Sequence, residues 1–347
     1  SLAKHYNSQI CLFWRNLKDQ TFDYRKIEEQ FDFKPSYIVK EEMGFLKWMK
    51  EIWKKLNSSH PDIVLGSEFG ISTIIIILHK FVTKSHYKIV IINDDSYDML
   101  VNNNQFTKRH ARAVKAMMPL VDDVINVEPR VAAYNQQKYQ KGIYFPIICN
   151  DVIAKKRLER VLPISQNYVS KYQLEGKKVL LFVGRLVVLK NVKFALRAFI
   201  KANLDNTIFV IVGDGSEKEK LEKIAAGNPA VFFTGRLEGD ELYAWYNVGQ
   251  VFTLPSYKEP FGAVTNEALV AGCKVLISKD ARSNCLVKDG KNGYIIDPHH
   301  ETKFIEKLKL AFYSMKPLKM QLVVKENMMV SSFEEHIKSL YARMENL

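Results

Sequence analysis

The sequence predicts an α/β protein made of two doubly wound parallel sheets. Two observations carry that reading. Short β-rich runs alternate with helix-length segments along the whole chain, and the alternation falls into two successive series. The length of 347 residues agrees, because it exceeds what one small core organises and two domains are the natural division.

The first series is "QICLFW", "PSYIV", "DIVLGS", "KIVIIN" and "DDVINV"; the second is "KVLLFVG", "TIFVIVG", "VFFTG", "QVFTLPS", "CKVLIS" and "NGYIID". The boundary is expected between Asp151 and Val161, where "VIAKKRLERV" makes a basic helix at the hinge. Residues 1–155 then form an N-terminal domain and 156–330 a C-terminal one. Near the chain's end, Phe333, His336, Ile337, Leu340, Tyr341 and Met344 recur at helical spacing. A packing helix over about 331–347 is expected to return to the first domain, with Ser331 or Ser332 as cap and Glu334 and Glu335 in the first turn. Two such domains facing each other would bring the carboxyl ends of their strands to a shared cleft, where open α/β sheets bind ligands.

Composition narrows the function. Apolar residues at 47% and charged residues at 26% are ordinary for a globular protein, and no low-complexity tract argues for disorder. The four cysteines, Cys11, Cys149, Cys273 and Cys285, are scattered without a CxxC pair, which fits a reducing compartment and speaks against a disulfide framework or zinc site. The start, "SLAKHYNSQI", lacks the apolar core of a signal peptide, and "ISTIIIIL" is far short of the ~20 residues that span a bilayer. A cytoplasmic protein is the expectation. The net charge of +13 suits anionic partners, but it is spread over both halves and no nucleic-acid motif accompanies it.

Four loops at strand ends of the second series have unusual composition. "GRLVVLKN" contains Gly184, Arg185, Lys190 and Asn191; "GDGSEKEKLEKI" sets Gly213 and Gly215 around Asp214; Arg236 follows "VFFTG"; and "YKEPFGAVTNEALVAG" follows "QVFTLPS". Glycine at a strand end lets backbone N–H groups approach a phosphate, and the next helix aims its positive end there. Arg185 and Lys190 suit a diphosphate, a forked guanidinium for one group and a mobile ammonium for the other. Solvated surface charge and a plain tight turn are the competing readings of these pieces taken singly.

Taken in order, these loops resemble the donor half of a family 4 (group 1) glycosyltransferase, with two facing Rossmann-like domains in the glycosyltransferase-B fold. The resemblance covers roughly Lys178 to Pro298, and its hallmark is Glu259 and Glu267 with seven residues between them. It implies that Glu259 meets hydroxyls of the donor sugar and Glu267 the ribose hydroxyls. It also implies that backbone around Phe261, Gly262, Ala263 and Val264 faces sugar and phosphates. The spacing allows this, since a helix rises ~1.5 Å per residue and eight residues give about 12 Å at most. Arg185, Lys190 and Glu259 become the catalytic candidates, and Gly184, Gly213, Asp214, Gly215, Arg236, Phe261, Gly262, Ala263, Val264 and Glu267 the donor-binding ones.

The pattern is also broken in places. Where the family often has Gly-Gly and then Glu, "DARSNCLVKDG" has Ala281, Arg282 and Cys285, and Lys274 replaces a usual proline. In the first half, "CLFWRNLKDQTF" lacks the usual glycine-rich loop, and the usual histidine is replaced around Asn93, Asp94 and Asp95. Glu68, Asn93 and Asp94 are acceptor-side candidates, and the aspartate pair leaves a DxD metal site as an alternative. Two basic amphipathic stretches, "MGFLKWMKEIWKKL" and "TKRHARAVKAMM", read either as packed helices or as contacts to anionic lipid.

The resemblance implies retaining transfer from a nucleotide-sugar, with no metal and no other cofactor, to a glycan or lipid-linked acceptor in polysaccharide, lipopolysaccharide or glycolipid synthesis. A peripheral place at the inner face of the plasma membrane is compatible with it. A nucleotide-sugar epimerase, a phosphorylase or an inactive donor-binding subunit are the alternatives.

Overall fold

The computed structural model describes residues 5–9, 11, 12, 36, 37, 45–95, 97 and 108–347. The chain forms two compact units, one of residues 1–145 with 337–347 and one of residues 146–336. Each is built on a parallel sheet flanked by helices.

In the first unit the elements are β1 (Cys11–Leu12), β2 (Ser36–Tyr37), α1 (Phe45–Ser59), β3 (Ile63–Ser67), α2 (Ile71–Thr83), β4 (Lys88–Asn93), α3 (Lys108–Met117), β5 (Asp123–Asn126), α4 (Pro129–Tyr139) and β6 (Ile143–Tyr144). Strands β3, β4, β5 and β6 lie side by side in chain order, all parallel, while β1 and β2 form a separate parallel pair. The core of Ile75, Ile89, Ile91 and Val124 is closed to solvent. Helix α1 turns Trp48, Met49, Ile52, Trp53 and Leu56 onto that core, so its apolar stripe packs inward. Strand β6, two residues long, escaped the pattern reading. The rest of "QICLFW" and "PSYIV", and the glycine-free loop beyond Leu12, lie outside the described residues.

The second unit contains α5 (Asp151–Arg160), α6 (Leu162–Lys171), β7 (Lys178–Val183), α7 (Val192–Ala202), β8 (Thr207–Val212), α8 (Lys218–Ala225), β9 (Val231–Gly235), α9 (Gly239–Val248), β10 (Val251–Leu254), α10 (Val264–Val270), β11 (Lys274–Ser278), β12 (Gly293–Ile296) and α11 (Glu301–Tyr313). Its six strands run parallel in the order β12-β11-β10-β7-β8-β9. The central strands are near-continuous apolar runs because both faces are covered. Helix α5 is capped by the Asn150 side chain, which accepts from the Ile153 N–H at 3.0 Å, and ends on Arg157 and Arg160.

The last helix, α12 (Phe333–Glu345), begins with a reciprocal cap. The Glu335 N–H donates to the Ser332 hydroxyl at 3.1 Å and the Ser332 N–H to the Glu335 carboxylate at 2.7 Å. Arg343 then donates to the fully buried Asp123 at 2.7 Å, which ties α12 to the start of β5.

Candidate functional site

Within the second unit the strand order reverses between β7 and β10, and a reversal opens a crevice at the strands' carboxyl ends. The two loops leaving those strands carry Arg185 and Lys190 on one side and Glu259 on the other. They are joined directly. The Tyr257 N–H donates to the Leu189 carbonyl at 2.9 Å, and the Lys190 ammonium pairs with the Glu259 carboxylate, which is only 8% exposed. Two groups assigned from the sequence to different parts of a ligand therefore hold one another. Arg185 is exposed and makes no ion pair among the described residues.

The neighbouring turns are laced backbone to backbone. Gly184 N–H donates to Val212 at 3.0 Å, Leu186 N–H to Asp214 at 2.8 Å, and Gly213 N–H to Gly235 at 2.9 Å. A Cβ on Gly213 would stand 1.9 Å from the Gly184 carbonyl oxygen, so these turns close only with glycine there. Asp214 caps its own turn, accepting from the Gly215 N–H at 2.7 Å. Arg236 lies after the edge strand β9, exposed and paired with Glu238.

Beyond Glu259 the chain turns at Gly262, with φ of 87°, where a Cβ would meet Leu254 at 2.6 Å. The loop is bound to the segment that departs from the family pattern: Glu259 N–H donates to Asp280, Arg282 N–H to Glu259, and Ser283 N–H to the Phe261 carbonyl at 2.9 Å. Phe261 is buried and anchors the turn, while Ala263 is exposed and Val264 opens the seven-residue α10.

Glu267 sits in that helix's first turn and is largely buried. Its two oxygens accept hydroxyl hydrogens from Tyr243 at 3.2 Å and Tyr246 at 2.7 Å. Burial pushes its carboxyl above the usual range, and the two tyrosine hydrogen bonds and the Arg157 charge pull it back. Tyr246 is fully buried and its hydroxyl is held well above the ordinary phenol value by that burial and by Glu267. Arg157 lies over the Tyr243 ring at 3.7 Å. These tyrosines were missed from the sequence. Their three-residue spacing was the available signal, but two aromatics at helical spacing read as core.

In the first unit Glu68 follows β3, and Asn93 and Asp94 close β4, so all three stand at the carboxyl end of adjacent strands. Glu68 is exposed, with a left-handed φ of 54°, and its carbonyl accepts from Thr73 at 2.5 Å. Asp94 is exposed as well. Asn93 is buried and engaged internally: its amide donates to the Asn126 side-chain oxygen at 3.3 Å, which also receives the Asn135 amide at 3.0 Å. Beside it Glu128, 3% exposed, was not anticipated; it accepts from the Tyr97 N–H at 2.9 Å and pairs with Arg130 at 2.6 Å. Among the described residues no three His, Cys, Asp or Glu side chains gather as a metal site, and no helix is long and apolar enough to cross a membrane.

Residues 165–328 match the family described as glycosyl transferases group 1. The sulfoquinovosyl transferase of Arabidopsis thaliana is 35% identical over 136 residues, 38% of this chain and 26% of that protein. The chain thus matches about a quarter of that relative's length. Alpha-monoglucosyldiacylglycerol synthase of Acholeplasma laidlawii is 28% identical over 205 residues, 51% of this chain and 52% of that protein. Among solved structures, HepE of Anabaena in complex with UDP superposes with a TM-score of 0.73 at 13% identity, covering 98% of this chain and 100% of that one.

Proposed function

We propose that this chain, whose second unit is a group 1 glycosyl transferase domain in a protein of glycosyltransferase-B fold, moves a hexosyl group from a nucleotide-sugar to an acceptor hydroxyl. The observation that carries the reading is the Lys190–Glu259 pair at the strand reversal, with the exposed Arg185 on the same loop as Lys190 and the partly buried Glu267 in the first turn of α10. A buried carboxylate with a raised pKa is costly to keep, and such groups concentrate where a ligand uses them.

In this reading the ammonium of Lys190 exchanges Glu259 for the donor's distal phosphate, and the freed Glu259 accepts hydroxyls of the sugar. The bond between the anomeric carbon and the phosphate oxygen breaks, its electron pair passing to the diphosphate. The acceptor oxygen bonds to the same carbon and gives up its proton to an oxygen of the departing diphosphate. Arg185 and Lys190 stabilise the charge that grows on the leaving group, which does the work a metal would otherwise do. The turns at Gly184, Gly213, Gly215 and Gly262 let the diphosphate come close to the backbone, and Glu267 receives the ribose hydroxyls. Glu68, Asn93 and Asp94 are the acceptor-side candidates. Retention and a glycan or lipid-linked acceptor are what the family resemblance implies, and the scattered cysteines favour a reducing, cytoplasmic location. The name of the Acholeplasma relative supports a lipid acceptor and the UDP complex of HepE supports a nucleotide-sugar donor.

Thermal shift with UDP, GDP, ADP and CDP, each with and without EDTA, tests the reading. A ligand at 100 times its Kd adds about 2.7 kcal/mol of stability. A shift from one nucleotide that survives EDTA is expected; no shift from any of them sinks the donor-site reading, and loss in EDTA sinks its metal independence.

A further inference from the structure

The helix α9 that presents Tyr243 and Tyr246 and the helix α10 that presents Glu267 are bridged by one irregular segment after α11. Lys325, in that segment, is partly buried and donates from its Nζ to the carbonyls of Tyr246 at 3.1 Å and Asn247 at 2.6 Å. Those carbonyls close the end of α9, where a cation meets the negative end of the helix. Three residues on, the Met328 N–H donates to the Leu269 carbonyl of α10 at 2.9 Å, and Met329 sulfur accepts from Asn266 of α10 at 3.2 Å. The segment presses on the end of α10 so closely that a Cβ on Gly272 would stand 2.4 Å from the Lys325 Cβ.

We infer that Lys325 and Tyr246 are positioning residues for Glu267. The doubly bonded ammonium fixes the Tyr246 backbone, the Tyr246 hydroxyl occupies one carboxylate oxygen, and the carboxylate's remaining lone pairs are thereby aimed at a vicinal diol of the ligand. A carboxylate offers about four acceptor sites, and the tyrosines use two. That leaves a pair of acceptors for two adjacent hydroxyls, as in a ribose. A free carboxylate would have to lose rotamer freedom on binding; one already clamped has little left to lose. Lys325 itself touches no ligand in this arrangement and acts through two intervening groups.

The inference rests on the donor-site reading above, and one set of titrations separates the two. Calorimetry is run with whichever of UDP, GDP, ADP or CDP raises the wild-type melting temperature most. The proteins are wild type, Tyr246→Phe, Lys325→Met, Lys325→Arg, Glu267→Gln, and the doubles joining Tyr246→Phe or Lys325→Met to Glu267→Gln. Tyr246→Phe and Lys325→Met are each expected to weaken binding by about fivefold or more, with Lys325→Arg restoring part of the loss. Once Glu267 is already Gln, either substitution should add less than about twofold, because its effect passes through that carboxylate. Equal losses with and without Glu267, or no loss, reduce the segment to packing and overturn the inference. Should Lys325→Met fail to fold, Tyr246→Phe, which removes one hydroxyl, decides by the same cycle. If Glu267→Gln alone loses affinity, the donor-site reading stands and only the inference falls; if Glu267→Gln binds like wild type, both fall.

Discussion

The two sheets share a construction and differ in one respect that matters. In the second unit the strand order turns back on itself between β7 and β10; in the first, β3 to β6 follow one another without reversal. A reversal sends successive connections to opposite faces, so the loops from the two central strands diverge and leave a crevice. The loops at that crevice hold Lys190, Glu259 and Glu267, all drawn out of full contact with water and all partnered. At the corresponding ends of the first sheet, Asn93 spends its side chain on Asn126 inside the protein, while Glu68 and Asp94 stand exposed. Among the described residues at these strand ends, the first unit's buried Asn93 is engaged inside the protein, whereas the second unit gathers a buried Glu259 and a partly buried Lys190 and Glu267.

The sharpest way to break this contrast is at the Lys190–Glu259 pair. Lys190→Met leaves Glu259, 8% exposed, without its counter-charge, and removing one partner of such a pair costs about 3–5 kcal/mol. Turnover should also fall by roughly 10- to 150-fold, the worth of a charge-assisted contact. Thermal melts and transfer kinetics read the two losses. An unchanged melt and rate would mean the pair is a solvated surface contact.

Next comes Glu267→Gln, expected to weaken nucleoside diphosphate binding by roughly tenfold or more while raising the melting temperature of the unliganded protein. The sign follows from its raised carboxyl pKa. The folded state holds that proton more tightly than the unfolded state, so stability is present below the ordinary glutamate value of 4.5 and is lost as pH rises through the folded value. At neutral pH the ionised carboxylate is therefore a burden that the amide lacks, and the gap between variant and wild type should close as pH falls below 4.5. A melting temperature lower than wild type at neutral pH contradicts this.

His79 supplies the matching test in the first unit. It is buried between Tyr87 at 3.0 Å and Asn57 at 2.9 Å, and burial lowers its pKa from 6.5. Here the unfolded state takes the proton first, so stability is present above pH 6.5 and falls as pH drops toward the lower folded value. His79→Gln should flatten that dependence and leave nucleotide affinity at neutral pH within about twofold, the expectation for a distant, independent site. Loss of nucleotide binding in this variant would mean that the units are coupled in a way the contrast ignores.

The smallest effect belongs to Arg236. Exposed and paired with exposed Glu238 beyond the edge strand, it should cost at most about 1 kcal/mol of stability when changed to Ala. Nucleotide affinity should move by less than about threefold, the scale of an exposed contact. A larger loss of affinity extends the site from the strand reversal to the sheet's edge.

How much of this was legible beforehand varies with the range of the interaction. All six strands of the second sheet were readable, because each is an apolar run closed by glycine or a turn. The glycines at 184, 213, 215 and 262 were readable for the same local reason, since each marks a turn at a strand end. Tyr243 and Tyr246 were not. Their meaning depends on an acceptor more than twenty positions along the chain, and a pair of aromatics on a helix ordinarily signals packing. Lys325 was harder still, lying 79 positions from the carbonyl it holds, in a stretch with no periodic pattern. In the first unit Glu128 drew no notice, because its burial comes from the sheet's shape and from the Tyr97 backbone.

By itself, the sequence determined the alternation of strands and helices, the two series, and the residue types at the second unit's strand ends, because those depend on period, turn chemistry and near neighbours along the chain. Only the tertiary structure decided the strand order that puts β7 beside β10, the pairing of Lys190 with Glu259 across 69 positions, and the clamping of Glu267 by hydroxyls from a different helix. The physical reason is the same in each case. A hydrogen bond or ion pair is set by distances of a few ångströms, and distance across a folded chain is fixed by how its faces pack.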